Sequence, residues 1–220
     1  VLFGKSIGVI NHDPFRNHQF TSTPVDRGFL SEEEVMDIAT KDLSDIPRLE
    51  LVRDIFVFSC FTGLAYIDVA NLKPEHIVTL DRKEWIMTRR QKTKVESNVF
   101  LLEVSKSIIA KYEGQTARED MLFPILSNQK MNSYLKKIAD ICGIKKNLTF
   151  HLARHTFATL CLSKGVPMES VSKMLGHTNI RTTQIYARIT NKKIEHDMEQ
   201  FADKLSKFNT AMGIGENSWQ

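Results

Sequence analysis

The sequence has no apolar stretch long enough to cross a bilayer. Its longest run, residues 55–61, is interrupted by Ser59, whereas a spanning helix needs about 20 apolar residues. The apolar core of a secretory signal is also missing, because Asn11, His12, Asp13 and Arg16 occupy the N-terminal region. The expectation is a cytoplasmic, nucleoid-associated protein with no membrane partner. Cysteine is scarce: Cys60, Cys142 and Cys161 are odd in number, form no CxxC pair and have no histidine at ligand spacing. This pattern excludes a disulfide framework and argues against zinc, leaving buried free thiols in a reducing compartment and no metal. Glycine–proline repeats, charge blocks and internal repeats are absent too. A net charge of only +4 permits nucleic-acid binding without arguing for it.

What is present is 220 residues of ordinary globular pattern, enough for one domain with a linker or tail. Residues 1–27 carry Pro14 and Pro24 with no sustained period and read as a linker. Since the first residue is Val1 and not Met, the expectation is a fragment of a longer protein. Ser31-Glu32-Glu33-Glu34 is a capping box and opens the first confident helix. A second helix over 49–62 is apolar on most sides, hence central, and Gly63 stops it. Short β-rich runs follow at 77–80, 84–89 and 97–102, with a polar hairpin tip at 92–96. Helical patterns then cover 105–113, 130–142, 150–164, 168–175, 180–187 and 191–208, and 209–220 reads as a tail. The fold class is therefore mainly α with a small antiparallel β-sheet.

Four features bear on chemistry. His151 and Arg154 are three residues apart on one helix, hence on one face. A guanidinium fork beside an imidazole suits a phosphate, although solubility alone often places such a pair. His177 follows Leu175-Gly176, where a tight turn can aim it; its plain reading is an exposed turn histidine. Tyr186 lies nine residues after His177. A tyrosine with a pKa near 10 is a weak nucleophile unless cations and a proton acceptor surround it, and most tyrosines are core residues. Finally, Arg89-Arg90-Gln91-Lys92-Thr93-Lys94 puts four cations at the hairpin, as a solvated turn, as DNA-backbone contacts or as the source of a proton donor.

The order and spacing of these features are more specific than any one of them. Hairpin lysine, His-x-x-Arg, Leu-Gly-His, then tyrosine resembles the tyrosine recombinase (phage integrase) family over residues 28–208. Phe29-Leu30-Ser31-Glu32-Glu33-Glu34, Phe61-Thr62-Gly63-Leu64 and His155-Thr156-Phe157-Ala158-Thr159 fit as well. The resemblance implies the family's DNA breaking–rejoining catalytic fold, with 28–208 as its catalytic domain and 1–27 as the linker from a missing N-terminal DNA-binding domain. It further implies that Tyr186 attacks the scissile phosphate to form a 3′-phosphotyrosyl link, and that Arg154 and His177 hold phosphate oxygens. His151 would assist proton transfer from the tyrosine and Lys92 would protonate the departing 5′ oxygen, with Lys94 as the rival for that role. No metal or nucleotide cofactor is implied. Implied partners are double-stranded DNA at recombination sites, a Holliday junction, three further copies of the chain in a tetramer on DNA, and accessory DNA-bending proteins. The tail would offer Met212, Ile214 and Trp219 as anchors on a neighbouring subunit.

One position departs from the family pattern. Gly63-Leu64-Ala65-Tyr66-Ile67-Asp68 puts Ala65 where the family has its first arginine, while Asp68 matches the supporting acidic position. The departure resembles integrases of mobile elements from Bacteroides-type bacteria. Arg89, Arg90 and Lys94 are the candidates to supply the missing charge; an enzyme working with one arginine, or a DNA-binding or architectural protein without catalysis, are the alternatives. A type IB topoisomerase would share the chemistry, but Leu-Gly-His and the small size favour a recombinase.

Overall fold

The computed structural model describes residues 2–12, 28–116, 120–186 and 191–205. In chain order its elements are α1 (Leu2–Ser6), α2 (Glu32–Thr40), α3 (Pro47–Thr62), α4 (Tyr66–Ala70), a 3-10 turn (Pro74–His76), β1 (Ile77–Leu80), β2 (Lys83–Arg89), β3 (Glu96–Phe100), α5 (Glu103–Tyr112), α6 (Asn128–Ile141), α7 (Phe150–Ser163), α8 (Met168–Met174), α9 (Arg181–Gln184) and α10 (Asn191–Lys204). The fold is mainly helical, with one antiparallel sheet in the order β1-β2-β3, as the sequence pattern predicts. The additional α1 and α4 have five residues each, too short to display a helical period. Most of the expected linker (13–27) and the whole expected tail with Met212, Ile214 and Trp219 lie outside the described residues.

Local chemistry sets the ends of the early helices. The Ser31 hydroxyl accepts from the Glu34 amide at 3.2 Å, and the Glu34 carboxylate accepts from the Ser31 amide at 2.7 Å, so two of the donors a helix start leaves open are satisfied. Pro47, whose fixed φ suits a first turn, opens α3. Gly63 closes it at φ 69°, its amide donating to Ser59 O at 2.9 Å. A Cβ on Gly63 would stand 2.4 Å from the Phe157 ring, so both its backbone angle and its packing require glycine.

Helix α3 is the hub, contacted by α2, α5, α6 and α7. Val52, Ile55, Phe56 and Phe58 on it are fully buried, each side chain contributing about 2 kcal/mol by burial. The polar interruption at Ser59 is also fully buried and satisfied, its hydroxyl donating to Leu64 O at 2.6 Å. Of the cysteines, all free, only Cys60 is buried; Cys142 and Cys161 are half-buried, because α6 and α7 each turn a flank outward at those positions. The expectation of three buried thiols is corrected to one.

In the sheet, Asp81 and Arg82 both have positive φ, 49° and 63°, the conformation of a two-residue turn that follows strand twist. The second hairpin ends its ladder at Arg89↔Glu96. The Arg90 amide donates to Val95 O at 2.9 Å and the Lys94 amide to Arg90 O at 2.8 Å. The tip is therefore residues 91–94, not 92–96, since Glu96 already belongs to β3. The hairpin lies against the end of α8, with Ser97 Oγ donating to Met174 O and Thr93 Oγ1 to Gly176 O at 3.5 Å.

Candidate active site

Three separated segments converge past the end of α3: the first turns of α7, the turn after α8, and the hairpin base. On α7 the helical period sets His151, Arg154 and His155 on one side. Arg154 points inward and is 2% exposed. Its Nη1 donates to Gly63 O at 2.7 Å, and its Nη2 to Leu175 O and to His177 Nε2, the latter at 3.1 Å. The guanidinium thus ties the carbonyl ends of α3 and α8 together. Among the described residues no carboxylate lies within ion-pair reach of it. Burial, with the charge of Arg90 added, pushes its pKa down to about 10; a buried cation without an anion is under-compensated.

Gly176, at φ 59°, turns the chain so that His177 faces Arg154. Arginine can only donate, so His177 Nε2 accepts; Nδ1 then carries the proton and donates to Thr183 Oγ1 at 2.9 Å. Burial, Arg154 and Arg90 together push the His177 pKa down to about 4. The imidazole is therefore neutral and its nitrogen toward Arg154 is an acceptor, although the sequence resemblance assigns it a donor's task.

Tyr186 follows α9 and is half-buried, packed on the small cluster of Phe157, Ala158, Leu162, Val171 and Leu175. Two imidazoles lie against its ring. His177 is stacked at 6.4 Å with an interplanar angle of 14°, and His155 stands edge-on at 4.9 Å and 89°. His155 Nε2 in turn is 2.9 Å from His151 Nε2.

The hairpin separates its cations. Arg90 is held inward, with 13% side-chain exposure and Nε 3.8 Å from Asp68 Oδ2; that buried Nε has no hydrogen-bond partner among the described residues. A Cβ on Gly176 would stand 2.7 Å from Arg90 Cδ, so the glycine leaves the room in which the arginine lies. Asp68 also accepts from the Gln91 amide at 2.9 Å, fixing the hairpin base. Arg89, by contrast, is 71% exposed and pairs with Glu96 at 3.4 Å. Lys92 and Lys94 are exposed at the tip, Lys94 donating to Gln91 Oε1 at 3.3 Å. Ala65 precedes α4 with no polar side chain to offer.

The structure therefore gathers Tyr186, Arg154, His177 and Arg90, joins the exposed His151 to them through His155, and leaves Lys92, Lys94 and Arg89 outside that cluster. Sequence reasoning missed any role for His155; the signal was its four-residue spacing from His151. Thr183 gave no signal, since its contact with His177 arises from the turn between them.

The chain is similar to known proteins in sequence and fold. Residues 29–193 match the phage integrase family. The tyrosine recombinase XerA of Thermococcus onnurineus is 34% identical over 181 residues, 76% of this chain and 59% of that protein. Tyrosine recombinase XerC of Chlorobaculum tepidum is 29% identical over 82% of this chain and 58% of its own length, so the chain spans about three fifths of these relatives. Among solved structures, XerA recombinase superposes with a TM-score of 0.61 at 25% identity, covering 91% of this chain and 72% of that one. A lambda integrase dimer bound to a COC′ core site gives 0.66 at 17% identity, covering 86% and 71%. By the extent of that match, three quarters of its length, the chain belongs to the phage integrase family of tyrosine recombinases.

Proposed function

We propose that this chain is the catalytic part of a site-specific DNA recombinase, with residues 28–208 as its catalytic domain. The observation that carries the reading is the placing of two imidazoles against Tyr186, beside a buried arginine with no carboxylate in ion-pair reach among the described residues. Tyr186 Oη attacks the scissile phosphorus, the bond to the 5′ oxygen breaks, and a 3′-phosphotyrosyl link results. The tyrosine proton passes to His151 and Lys92 gives a proton to the departing 5′ oxygen. Lys92 is exposed at the hairpin tip, so this role needs the tip to close on DNA. Religation reverses these steps and needs no fuel, because the covalent link keeps the phosphodiester energy. Exchange between two duplexes through a Holliday junction requires four copies on two DNA sites.

Arg90 is the cation that takes the place of the arginine absent at Ala65. Its buried Nε, without a hydrogen bond among the described residues, and its effect on both Arg154 and His177 support this over Arg89 and Lys94. A bound phosphate monoanion between Arg154 and Arg90 would offset their repulsion. It would also favour a protonated His177, which could then donate to it. The element is read as a mobile-element integrase, so its sites are sought in the DNA flanking its gene.

The experiment is a nicked suicide duplex drawn from that flanking DNA. The protein should become trapped as a covalent adduct, and Tyr186→Phe should abolish the adduct while leaving DNA retention in a gel intact. A second reading, a binder without catalysis, draws on Ala65 itself; binding without any adduct on a site the protein protects would favour it and overturn the first.

A further inference from the structure

We propose that His155 is a positioning residue that makes His151 a competent base for Tyr186, an inference that rests on the recombinase reading above. Two ring nitrogens 2.9 Å apart, His155 Nε2 and His151 Nε2, can share only one proton, since one must donate and the other accept. A base for the tyrosine needs a bare nitrogen. The Nε2 of His151 is engaged with His155, so the bare nitrogen must be Nδ1 and the proton must sit on Nε2, donated to His155. An imidazole that donates its second N–H to an acceptor has its tautomer fixed and its free nitrogen made more basic. Nucleophile, base and orienting group then form the three-member logic of activated nucleophiles, with a second imidazole in the place usually held by a carboxylate. When Tyr186 gives up its proton, that proton lands on His151 Nδ1 while the Nε2–H bond to His155 is kept.

His155 also fixes the other end of this relay. Its ring stands edge-on to Tyr186 at 4.9 Å, a geometry favoured by the ring quadrupole, and His177 lies stacked with the tyrosine at 6.4 Å. One side chain thus holds both the nucleophile's ring and the base's proton. The spacing that permits it is local: i and i+4 on α7 meet on one face, with Arg154 one position before His155. The charged and titratable groups near the pair are Arg154 on the same helix, Tyr186 after α9 and His177 behind it, with Arg90 beyond Arg154.

The test uses the full chain with two variants. His155→Phe keeps a ring against Tyr186 and removes the acceptor; His155→Gln supplies a carbonyl acceptor. Ring ¹⁵N spectra of the free wild-type protein should show His151 protonated on Nε2 and bare on Nδ1, and His155→Phe should lose that fixed tautomer. On the nicked duplex, His155→Phe should slow adduct formation by roughly tenfold to a hundredfold, the usual effect of losing an orienting partner. DNA retention should be unchanged, and the acid limb of the pH–rate profile should move to lower pH. His155→Gln should recover most of the rate. A wild-type His151 protonated on Nδ1 would overturn the proposal. So would His155→Phe at the wild-type rate, or both variants equally slow with the acid limb unmoved, which marks a role in packing only. If the wild-type protein forms no adduct, the recombinase reading fails, while the spectra still decide the His151–His155 bond.

Discussion

Two clusters of charge border α3, and they are built on opposite terms. In the first, Asp54 takes bonds from Arg53 Nε at 2.7 Å, Lys111 Nζ at 2.6 Å and Tyr112 OH at 2.8 Å, and Lys111 also pairs with Glu50 at 2.8 Å. Burial pushes the Asp54 carboxyl up, but the bonds from Arg53, Lys111 and Tyr112 outweigh it and hold the carboxyl below its ordinary value. Burial likewise pulls Arg53 and Lys111 down, and bonding to Asp54 leaves both above theirs. In the second cluster, past Gly63, Arg154 and His177 are both pushed down, by burial first and by neighbouring cations next. Matched charge joins helices α3 and α5. Positive charge that Asp68 only partly matches suits a site that binds an anion.

A crossed pair of substitutions should break the comparison most sharply. Asp54→Ala removes the nearer carboxylate from Arg53, leaving it Glu50 at 3.4 Å, and should cost on the order of 3 kcal/mol, the low end for a broken buried pair because Glu50 remains and Lys111 reaches water. Adduct formation per folded molecule should not change. Arg90→Met should do the reverse: adduct formation falls about 100- to 1000-fold, the range for removing one donor to a developing charge, with only about 1 kcal/mol of stability lost, because giving up the 3.8 Å contact with buried Asp68 is offset by relief of the repulsion on Arg154 and His177. Arg89→Met and Lys94→Met should leave cleavage within a few-fold. Urea unfolding and the nicked duplex read the two columns. Equal cleavage loss in Asp54→Ala, or none in Arg90→Met, would mean that the distinction between the clusters is wrong.

The same contrast explains what was legible in the sequence. The Ser31 box, the Gly63 stop, the shared face of His151 and Arg154 and the turn before His177 were readable because each depends on neighbours within one helical turn. The choice of Arg90 among the hairpin cations was not, because it depends on Asp68, 22 positions earlier in the chain, and on the space beside Gly176. The Asp54 network was hidden for the same reason. Its partners Lys111 and Tyr112 come from α5, 57 and 58 positions away, and α3 by pattern is simply apolar. Helix α4 escaped because five residues show no period.

The clusters should also lose stability in different pH windows. His177 in the fold has its pKa near 4 against an ordinary 6.5, so between these values the unfolded chain binds the extra proton. Stability from this group is complete above about 6.5 and is lost as pH falls toward 4, on the order of 3 kcal/mol at about 1.4 kcal/mol per pH unit. Asp54 is lowered, so its contribution is complete above the ordinary 3.8 and is lost only below it. Unfolding free energy followed from pH 8 to pH 3 should therefore show two separate slopes. His177→Gln should flatten the upper one alone. A single slope below pH 4, unchanged in that variant, would mean the imidazole is not held neutral by its neighbours.

The smallest effect comes from the same edit made in both clusters. Tyr112→Phe removes the hydroxyl that donates to Asp54 at 2.8 Å but keeps the ring against Phe123, whose centroid lies 6.3 Å away. Asp54 retains Arg53 and Lys111, so the loss should be about 1 kcal/mol, that of one hydrogen bond to a charged group with other donors at hand. Cleavage should be untouched. Removing the Tyr186 hydroxyl should show less change in stability and a total loss of adduct. Each tyrosine sits among charged or ionisable groups, and only the sign balance around it separates the two. A loss at Tyr112 well beyond 2 kcal/mol would mean that its hydroxyl holds the carboxylate's charge in place, and that Arg53 and Lys111 do not suffice to match it.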